Sequence, residues 1–553
     1  MLDTHLLWRL TEQARRYPDR LALQILKDGA GGHAAFTWCE VLRLAQQGLD
    51  ALRCRGLSTG DRVLLALPTS EAFVAGLLGA LWGGIVPATL ALPSNRHASV
   101  AFAAEWRSLV ALLAPAAIIT EMALPQVDVP RISPEELLQS RATQAEVEDC
   151  AAPDRIAYIQ FTSGSTGRPR GVVLSLAGMC ANLESMRWRL RLTPEDCMVS
   201  WLPMYHDMGL FGGLLLPLYC GARTMLMDPS FFVANPLLWF KMMAETRATI
   251  SPVPPSALHV GLQLLRRRPQ PQLALSSCLQ FIVGAEPVLP HLIQHFNEVL
   301  TPYGVAETAL RPAYGLAEAT LAVTMPFLGQ APRIDWVQRE ALEVHRHAVP
   351  TTAETQGSQG WVSVGRPLEG VRLSIVAETG EPVPERHVGR ILLQSSSLMT
   401  AVLENGTLYP PKEAWLDTGD LGYLADGELF VTGRWKDIII KRGRNYSPER
   451  LEELAALVEG VHRVTAFGLY DETALTEKVV LLVEPRSKYR NSAQQRDHVR
   501  LAVRSQLRLA GYEVDEVHLI PKGQLPRTTS GKIRRQHCRE LFVQHAFEKG
   551  NSL

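Results

Sequence analysis

Residues 72–95 form a run of 24 positions without a single charge, and no other feature narrows the possible folds so sharply. A run of this length is long enough on paper to cross a bilayer. Gly76, Gly79, Gly83, Gly84 and Pro87 interrupt it, however, and no Lys/Arg-rich loop flanks it. The spacing instead predicts a buried helix over 72–81, a Gly-Gly turn and a buried strand over 85–92. Upstream, Arg62-Val-Leu-Leu-Ala-Leu-Pro68 reads as another apolar strand. Strand, helix and strand in succession is the pattern of βα units around a mostly parallel sheet, so the chain is of the α/β class. Residues 114–120 and 156–161 add two more buried strands, and 208–222 repeats the apolar, glycine-rich texture.

At 553 residues the chain is several times the roughly 150 of a typical domain, so at least two domains are expected. Lys plus Arg (56) equals Asp plus Glu (56), which leaves no global field to attract nucleic acid or an anionic membrane. Neither nucleic-acid binding nor integral membrane association is expected. The eight cysteines form no C-x-x-C pair and no zinc-ligand spacing, and they read as reduced thiols. The N-terminal residues carry no basic segment followed by an apolar core, so a cytoplasmic location is expected.

The texture changes along the chain. Residues 327–360 are charged and contain Pro and Gln, with an alternating run at 341–349, and look inserted. Short strands and turns follow over 371–430. After Gly433 comes a smaller α/β unit with strands expected at 438–440, 464–470 and 479–483. The expected domains are therefore 1–433, with the inserted segment inside it, and 434–553.

Phe161-Thr-Ser-Gly-Ser-Thr-Gly-Arg-Pro-Arg-Gly171 carries four hydroxyls and three glycines after a predicted strand. Glycines let backbone N–H groups approach an anion, hydroxyls donate further bonds, and Arg168 and Arg170 neutralise charge. The loop is built to cradle phosphates. It lacks the G-x-x-x-x-G-K-[ST] of P-loop NTPases, so a different ATP chemistry is implied.

With this loop the chain resembles the adenylate-forming superfamily of acyl-CoA synthetases, luciferases and nonribosomal adenylation domains, and six further motifs follow in order. Trp201-Leu-Pro-Met-Tyr-His-Asp-Met-Gly209 is similar to the substrate-gating motif. Val283-Gly-Ala-Glu-Pro287 resembles the adenine-cradling segment, and Tyr314-Gly-Leu-Ala-Glu-Ala-Thr320 the adenine and magnesium motif. Trp415-Leu-Asp-Thr-Gly-Asp-Leu-Gly422 resembles the ribose motif. Gly433-Arg-Trp-Lys-Asp-Ile-Ile-Ile-Lys-Arg-Gly443 looks like the hinge, and Leu525-Pro-Arg-Thr-Thr-Ser-Gly-Lys-Ile-Arg534 like the loop of the catalytic lysine.

The resemblance implies a large N-terminal domain of several sheets with flanking helices and a small mobile C-terminal α/β domain, hinged near 434–437 at Asp437. It implies ATP and Mg²⁺ as cofactors. Thr162, Ser163, Gly164, Ser165, Thr166, Gly167 and Arg170 would hold phosphates. Gly284, Ala285, Glu286, Tyr314 and Gly315 would hold adenine, although a Tyr before Gly also suits plain core packing. Asp420 and Arg434 would hold ribose, and Glu318 the metal. Lys532 would bridge the attacking carboxylate and the α-phosphate. His206, counted with Lys532 and Glu318 among the catalytic residues, would stand at the mouth of an acyl channel that Asp207, Gly209, Gly212, Gly213 and Met225 line, the alternative for His206 and Asp207 being a polar turn closed over the core.

Within the superfamily, the wording of the 202–213, 284–288 and 314–320 motifs and the inserted 327–360 segment are similar to those of fatty acyl-AMP ligases. That subfamily loads a medium- or long-chain fatty acid, as its adenylate, onto the 4′-phosphopantetheine thiol of a holo acyl carrier protein. Its insertion packs on the N-terminal domain and hinders the rotation that CoA transfer needs. An acyl-CoA synthetase is the nearest alternative, and a catalytically idle nucleotide or lipid binding module a remote one. Two positions depart from the pattern: Arg170 replaces the usual Lys, and Ser251-Pro-Val-Pro-Pro-Ser256 replaces Gly-Gly-Pro-Asn near the acyl pocket.

Overall fold

A computed structural model describes residues 5–92, 100–141, 152, 154–162, 169–490, 492–527 and 533–547. The chain divides into two compact units, one of residues 1–333, 364–372 and 394–416, the other of 334–363, 373–393 and 417–553. Both mix helices with several sheets, as the α/β reading requires.

The first unit is built on two large sheets. One has seven strands in the order Leu310–Pro312, Gln280–Val283, Ile250–Val253, Cys197–Ser200, Arg223–Leu226, Leu21–Leu26 and His33–Thr37. All neighbours run parallel except the last pair. The other has eight strands, with Ile156–Thr162, Val86–Thr89, Arg62–Ala66, Ala117–Thr120 and Arg131–Ile132 parallel in that order. The charge-free run supplies the helix Glu71–Trp82, every residue from Ala72 onward buried, and the strand Val86–Thr89. Its glycines have a packing reason. A Cβ at Gly48 of the helix Trp38–Cys54 would lie 1.9 Å from the Ala75 carbonyl oxygen, and one at Gly79 would lie 2.4 Å from the Leu49 nitrogen. The two helices therefore meet backbone to backbone. Among the described residues no helix is long and apolar enough to cross a membrane.

The second unit takes in a four-stranded sheet of Arg372–Val376, Gly389–Gln394, Leu416–Ala425 and Glu428–Arg434. Its last two strands form a hairpin closed by Asp426 and Gly427, both at positive φ (54° and 73°), the backbone of a two-residue turn that matches strand twist. A three-stranded sheet of Val461–Asp471, Thr476–Pro485 and Glu516–Leu519 carries the helices Pro448–Ala456, Ala493–Leu509 and Arg535–Val543.

Two features of the inserted-looking segment were not visible in its texture. The alternation at 341–349 is not extended: Arg339–His345 is a short helix that buries Leu342 and Glu343 and stops where Arg346 turns left-handed (φ 51°). The segment also belongs to the second unit, not to a 1–433 domain. Its strands Ile334–Gln338 and Ser358–Val362 pair with each other. Val337, Leu342 and Ala348 share a core with Tyr423, Ala425 and Phe430. The boundary expected at 433 thus falls inside the second unit.

Candidate active site

In a parallel sheet, ligands gather beyond the carboxyl ends of the strands. Three of the sequence motifs leave the seven-stranded sheet at that edge: 201–209 follows Cys197–Ser200, 284–287 follows Gln280–Val283, and 313–320 follows Leu310–Pro312. Between the first two, Ile250–Val253 delivers Pro254 and the helix Pro255–Arg267. Residues more than a hundred positions apart are thereby brought to one sheet edge.

Two non-glycine residues there take unusual backbone angles: Ala285 at φ 70°, and Thr320 at φ 71°, ψ −62°. The second is rare for a β-branched residue and is held by burial and by the Thr320 hydroxyl donating to the Ser397 carbonyl at 2.9 Å. Glu318 lies in the turn Ala317–Ala319 and is half-buried. Its carbonyl accepts from the Met399 N–H at 2.7 Å. Tyr314 and Gly315 form a short strand, where a Cβ on Gly315 would meet the Leu321 carbonyl oxygen at 1.9 Å. Glu286 braces its own neighbourhood, its carboxylate accepting from the Ser256 N–H (2.9 Å) and hydroxyl (3.0 Å) at the start of the helix Pro255–Arg267.

The hydroxyl-rich loop connects Ile156–Thr162 to Arg170–Ser175, an antiparallel pair with Thr162 opposite Arg170. Ser163, Gly164, Ser165, Thr166 and Gly167 lie outside the described residues, as does Lys532. Arg170 is engaged by Glu404, 2.7 Å away on the neighbouring strand Ala401–Glu404. A phosphate would have to share that guanidinium. Below the loop, Tyr158 is buried against the Thr89 hydroxyl, and burial raises its phenol above the ordinary range.

Gln160 ties this strand to the gating motif by donating to the Tyr205 carbonyl at 2.8 Å. His206 Nδ1 lies 2.6 Å from Asp207 Oδ1. The motif continues into a π-helix, Met208–Leu215, a wide turn frequent at functional sites. Its glycines require a correction. The space a side chain would fill at Gly209 is taken by the Pro203 carbonyl (2.2 Å) and at Gly213 by Ser200 Oγ (2.5 Å). At those two positions the missing side chain makes room for close packing of neighbouring protein atoms. Gly212 faces Leu321 with only a 3.3 Å approach. Met225, on the next strand, is fully buried.

In the second unit, Asp420 and Arg434 are cross-strand partners, with Nε 3.3 Å from Oδ1. The turn before Asp420 is self-braced. Gly419 has φ 74°, its N–H donates to Asp417 Oδ1 (2.9 Å), and the Asp420 N–H donates to Thr418 Oγ1 (3.1 Å). Asp437 ends the single turn Trp435–Asp437 between the strands Glu428–Arg434 and Ile439–Lys441.

Residues 10–403 match the family described as AMP-binding enzyme. The chain belongs to that family. Its relatives include the long-chain-fatty-acid–AMP ligase FadD26 of Mycobacterium tuberculosis, 30% identical over 594 residues that take in 98% of this chain and 97% of the relative. The 4-hydroxyphenylalkanoate adenylyltransferase of the same organism is also 30% identical, with 99% and 93% covered. A solved structure from a study of fatty acyl-adenylate ligases from E. coli and L. pneumophila matches with a TM-score of 0.86 at 30% identity, covering 98% of each chain. Three residues not singled out in the sequence brace the candidate site: Ser256, Thr320 and Glu404. Ser256 and Thr320 could have been suspected from their motifs. Glu404 could not, because nothing local links it to a loop more than two hundred positions earlier.

Proposed function

We propose that this AMP-binding enzyme activates a medium- or long-chain fatty acid with ATP and passes the acyl group to the phosphopantetheine thiol of an acyl carrier protein. The observation that carries the reading is the gathering of the 201–209, 284–287 and 313–320 motifs at one carboxyl sheet edge. The end-to-end likeness to proteins named fatty-acid–AMP ligases supports the choice of acid.

In the first step a carboxylate oxygen attacks the α-phosphorus, the bond to the bridging oxygen breaks, and pyrophosphate leaves. The reaction asks for alignment and for relief of negative charge. Residues 162–170 would hold the phosphates, the Asp420 carboxylate would accept from the ribose hydroxyls, and the Lys532 ammonium would lie between carboxylate and α-phosphate. Among the described residues no three acidic, His or Cys side chains gather into a metal cage. Mg²⁺ bound through one carboxylate and the nucleotide phosphates needs none, so Glu318 fits it. The ion would offset phosphate charge. In the second step the thiol sulfur attacks the acyl carbonyl carbon, the carbon–oxygen bond to AMP breaks, and the thiol proton passes to solvent.

What favours a carrier over free CoA is the inserted segment. Its helix Arg339–His345 holds elements that follow Asp437. Asn445 Nδ2 donates to the Glu343 carbonyl at 2.8 Å, Arg444 lies 3.5 Å from Glu340, and Arg339 stacks over the Tyr512 ring at 5.3 Å. A clasp spanning the hinge biases against rotation by its own contact energy, and a docked protein can offset more of that than a small thiol. The test is incubation with ATP, a fatty-acid panel and either CoA or holo carrier. Acyl-AMP and carrier thioester with little acyl-CoA is the expected outcome. Efficient acyl-CoA formation would replace the reading with a synthetase.

A further inference from the structure

A partly buried cluster of four charges surrounds the proposed hinge. Arg535, largely buried, opens the helix Arg535–Val543 three positions after Lys532. Its Nη1 lies 2.5 Å from Asp437 Oδ2 and 2.8 Å from Glu449 Oε1, and its Nη2 lies 3.0 Å from Glu452 Oε2. Glu449 and Glu452 belong to the helix Pro448–Ala456 and have other fixed donors. Ser447 Oγ donates to Glu449 at 2.8 Å, and the Ala466 N–H donates to Glu452 at 2.9 Å.

These four residues are not equivalent. If 438–553 turns as a body about the Asp437 backbone, Arg535, Glu449 and Glu452 travel together. Their mutual bonds survive. The Asp437 carboxylate is carried by the pivot itself, so its bond to Arg535 is the one that rotation strains. Partly buried, forked guanidinium–carboxylate bonds of this kind hold geometry because each fixes the direction of its partner.

We infer that Arg535 is a positioning residue: by gripping the hinge carboxylate of Asp437 it fixes the setting of the helix that follows Lys532, and so governs the partition between adenylation and acyl transfer. The inference rests on the two-step reading of the function and adds the residue that sets the balance between its steps. The described partners of Arg535 are carboxylates of the chain itself. Its influence runs through the hinge, as a bias between two arrangements.

The lead variant is Asp437→Asn, an isostere that leaves Arg535 two carboxylates and so spares the fold. Arg535→Lys, which keeps charge but loses the fork, is the second. Glu452→Gln is the control for a merely structural role. Adenylation is measured as pyrophosphate release in a single turnover, and transfer as thioester formation from preformed acyl-AMP and holo carrier. Asp437→Asn and Arg535→Lys should move the ratio of the two rates in the same direction by about fivefold or more. In Asp437→Asn the Tm should stay within about 2 °C of wild type. Glu452→Gln should lower Tm and leave the ratio unchanged. Equal loss in both steps, opposite directions in the two variants, or the same ratio change in Glu452→Gln would each overturn the inference.

Hydrogen exchange over 434–441 separates this inference from the functional reading, because it needs no substrate. Faster exchange there in Asp437→Asn supports the grip even if the intact protein adenylates no fatty acid, whereas unchanged exchange removes it.

Discussion

The helix pair Trp38–Cys54 and Glu71–Trp82 and the region around Asp437 solve the same problem in opposite ways. The helix pair is sealed by hydrocarbon and by glycines that let two backbones touch. Around Asp437 the contacts are ionic: Arg535 with three carboxylates, Lys441 with Asp515, and Glu343 among Arg339, Arg444 and Arg450. Close apolar packing has one solution and resists displacement. Charge clusters can exchange partners while each member stays satisfied, which suits a region for which we propose two settings.

The largest effect is expected at Lys532, the ammonium proposed to meet the α-phosphate. If Lys532 is used in the transition state and not to hold the fold, Lys532→Ala should cut adenylation by at least about a hundredfold while Tm stays close to wild type. Retention of more than about a tenth of the rate would take Lys532 out of the reaction.

Next in size is the pH response of the clasp. Burial pushes the Glu343 carboxyl up to about 7 from its ordinary 4.5, against the pull of Arg339, the Tyr512 hydroxyl, Arg444 and Arg450. A folded-state value above the unfolded one means stability is fully present below 4.5 and is lost as pH rises through 7. The loss amounts to about 3 kcal/mol across that window. Urea unfolding at pH 5 and pH 8 should show it in wild type, and Glu343→Gln should flatten it. A wild type equally stable at both values would mean Glu343 is ionised throughout.

The apolar region should answer to volume and ignore pH. Gly48→Ala places a methyl 1.9 Å from the Ala75 carbonyl oxygen and forces the helices apart, at a cost of about 2 kcal/mol. The loss should be the same at pH 5 and pH 8. A neutral substitution would show that the two helices can separate freely, against the close backbone contact at Gly48 and Gly79.

These differences also explain what could be read from the chain. The strands around Val86–Thr89 and Ile156–Thr162, and the order of the motifs, were legible because each is written in adjacent residues. The glycines of 209–213 were legible as small but not as packed, since Pro203 and Ser200 meet them only in the fold. The helix Arg339–His345 was hidden because its one buried apolar position, Leu342, is too little to set a period, and its attachment is ionic and distant in sequence. Ion pairs such as Arg170 with Glu404 or Arg535 with Asp437 leave no local pattern at all.

The smallest effect tests whether buried charge is as exacting as buried hydrocarbon. Asp335, on the inserted strand Ile334–Gln338, is held by Arg386 through Nη1 (3.0 Å) and Nη2 (3.3 Å) and by the Tyr423 hydroxyl, which donates to Oδ2 at 2.8 Å. Tyr423→Phe removes one donor of three and leaves the ring stacked on Phe430, with centroids 4.9 Å apart. Because the guanidinium still satisfies both oxygens, the cost should be about 1 kcal/mol, below that of the single methyl at Gly48. Denaturant melts of the two variants side by side measure the order. If Tyr423→Phe proves the more damaging, the ionic region is as intolerant of small change as the helix pair, and the contrast between a region with one solution and a region with two would have to be given up.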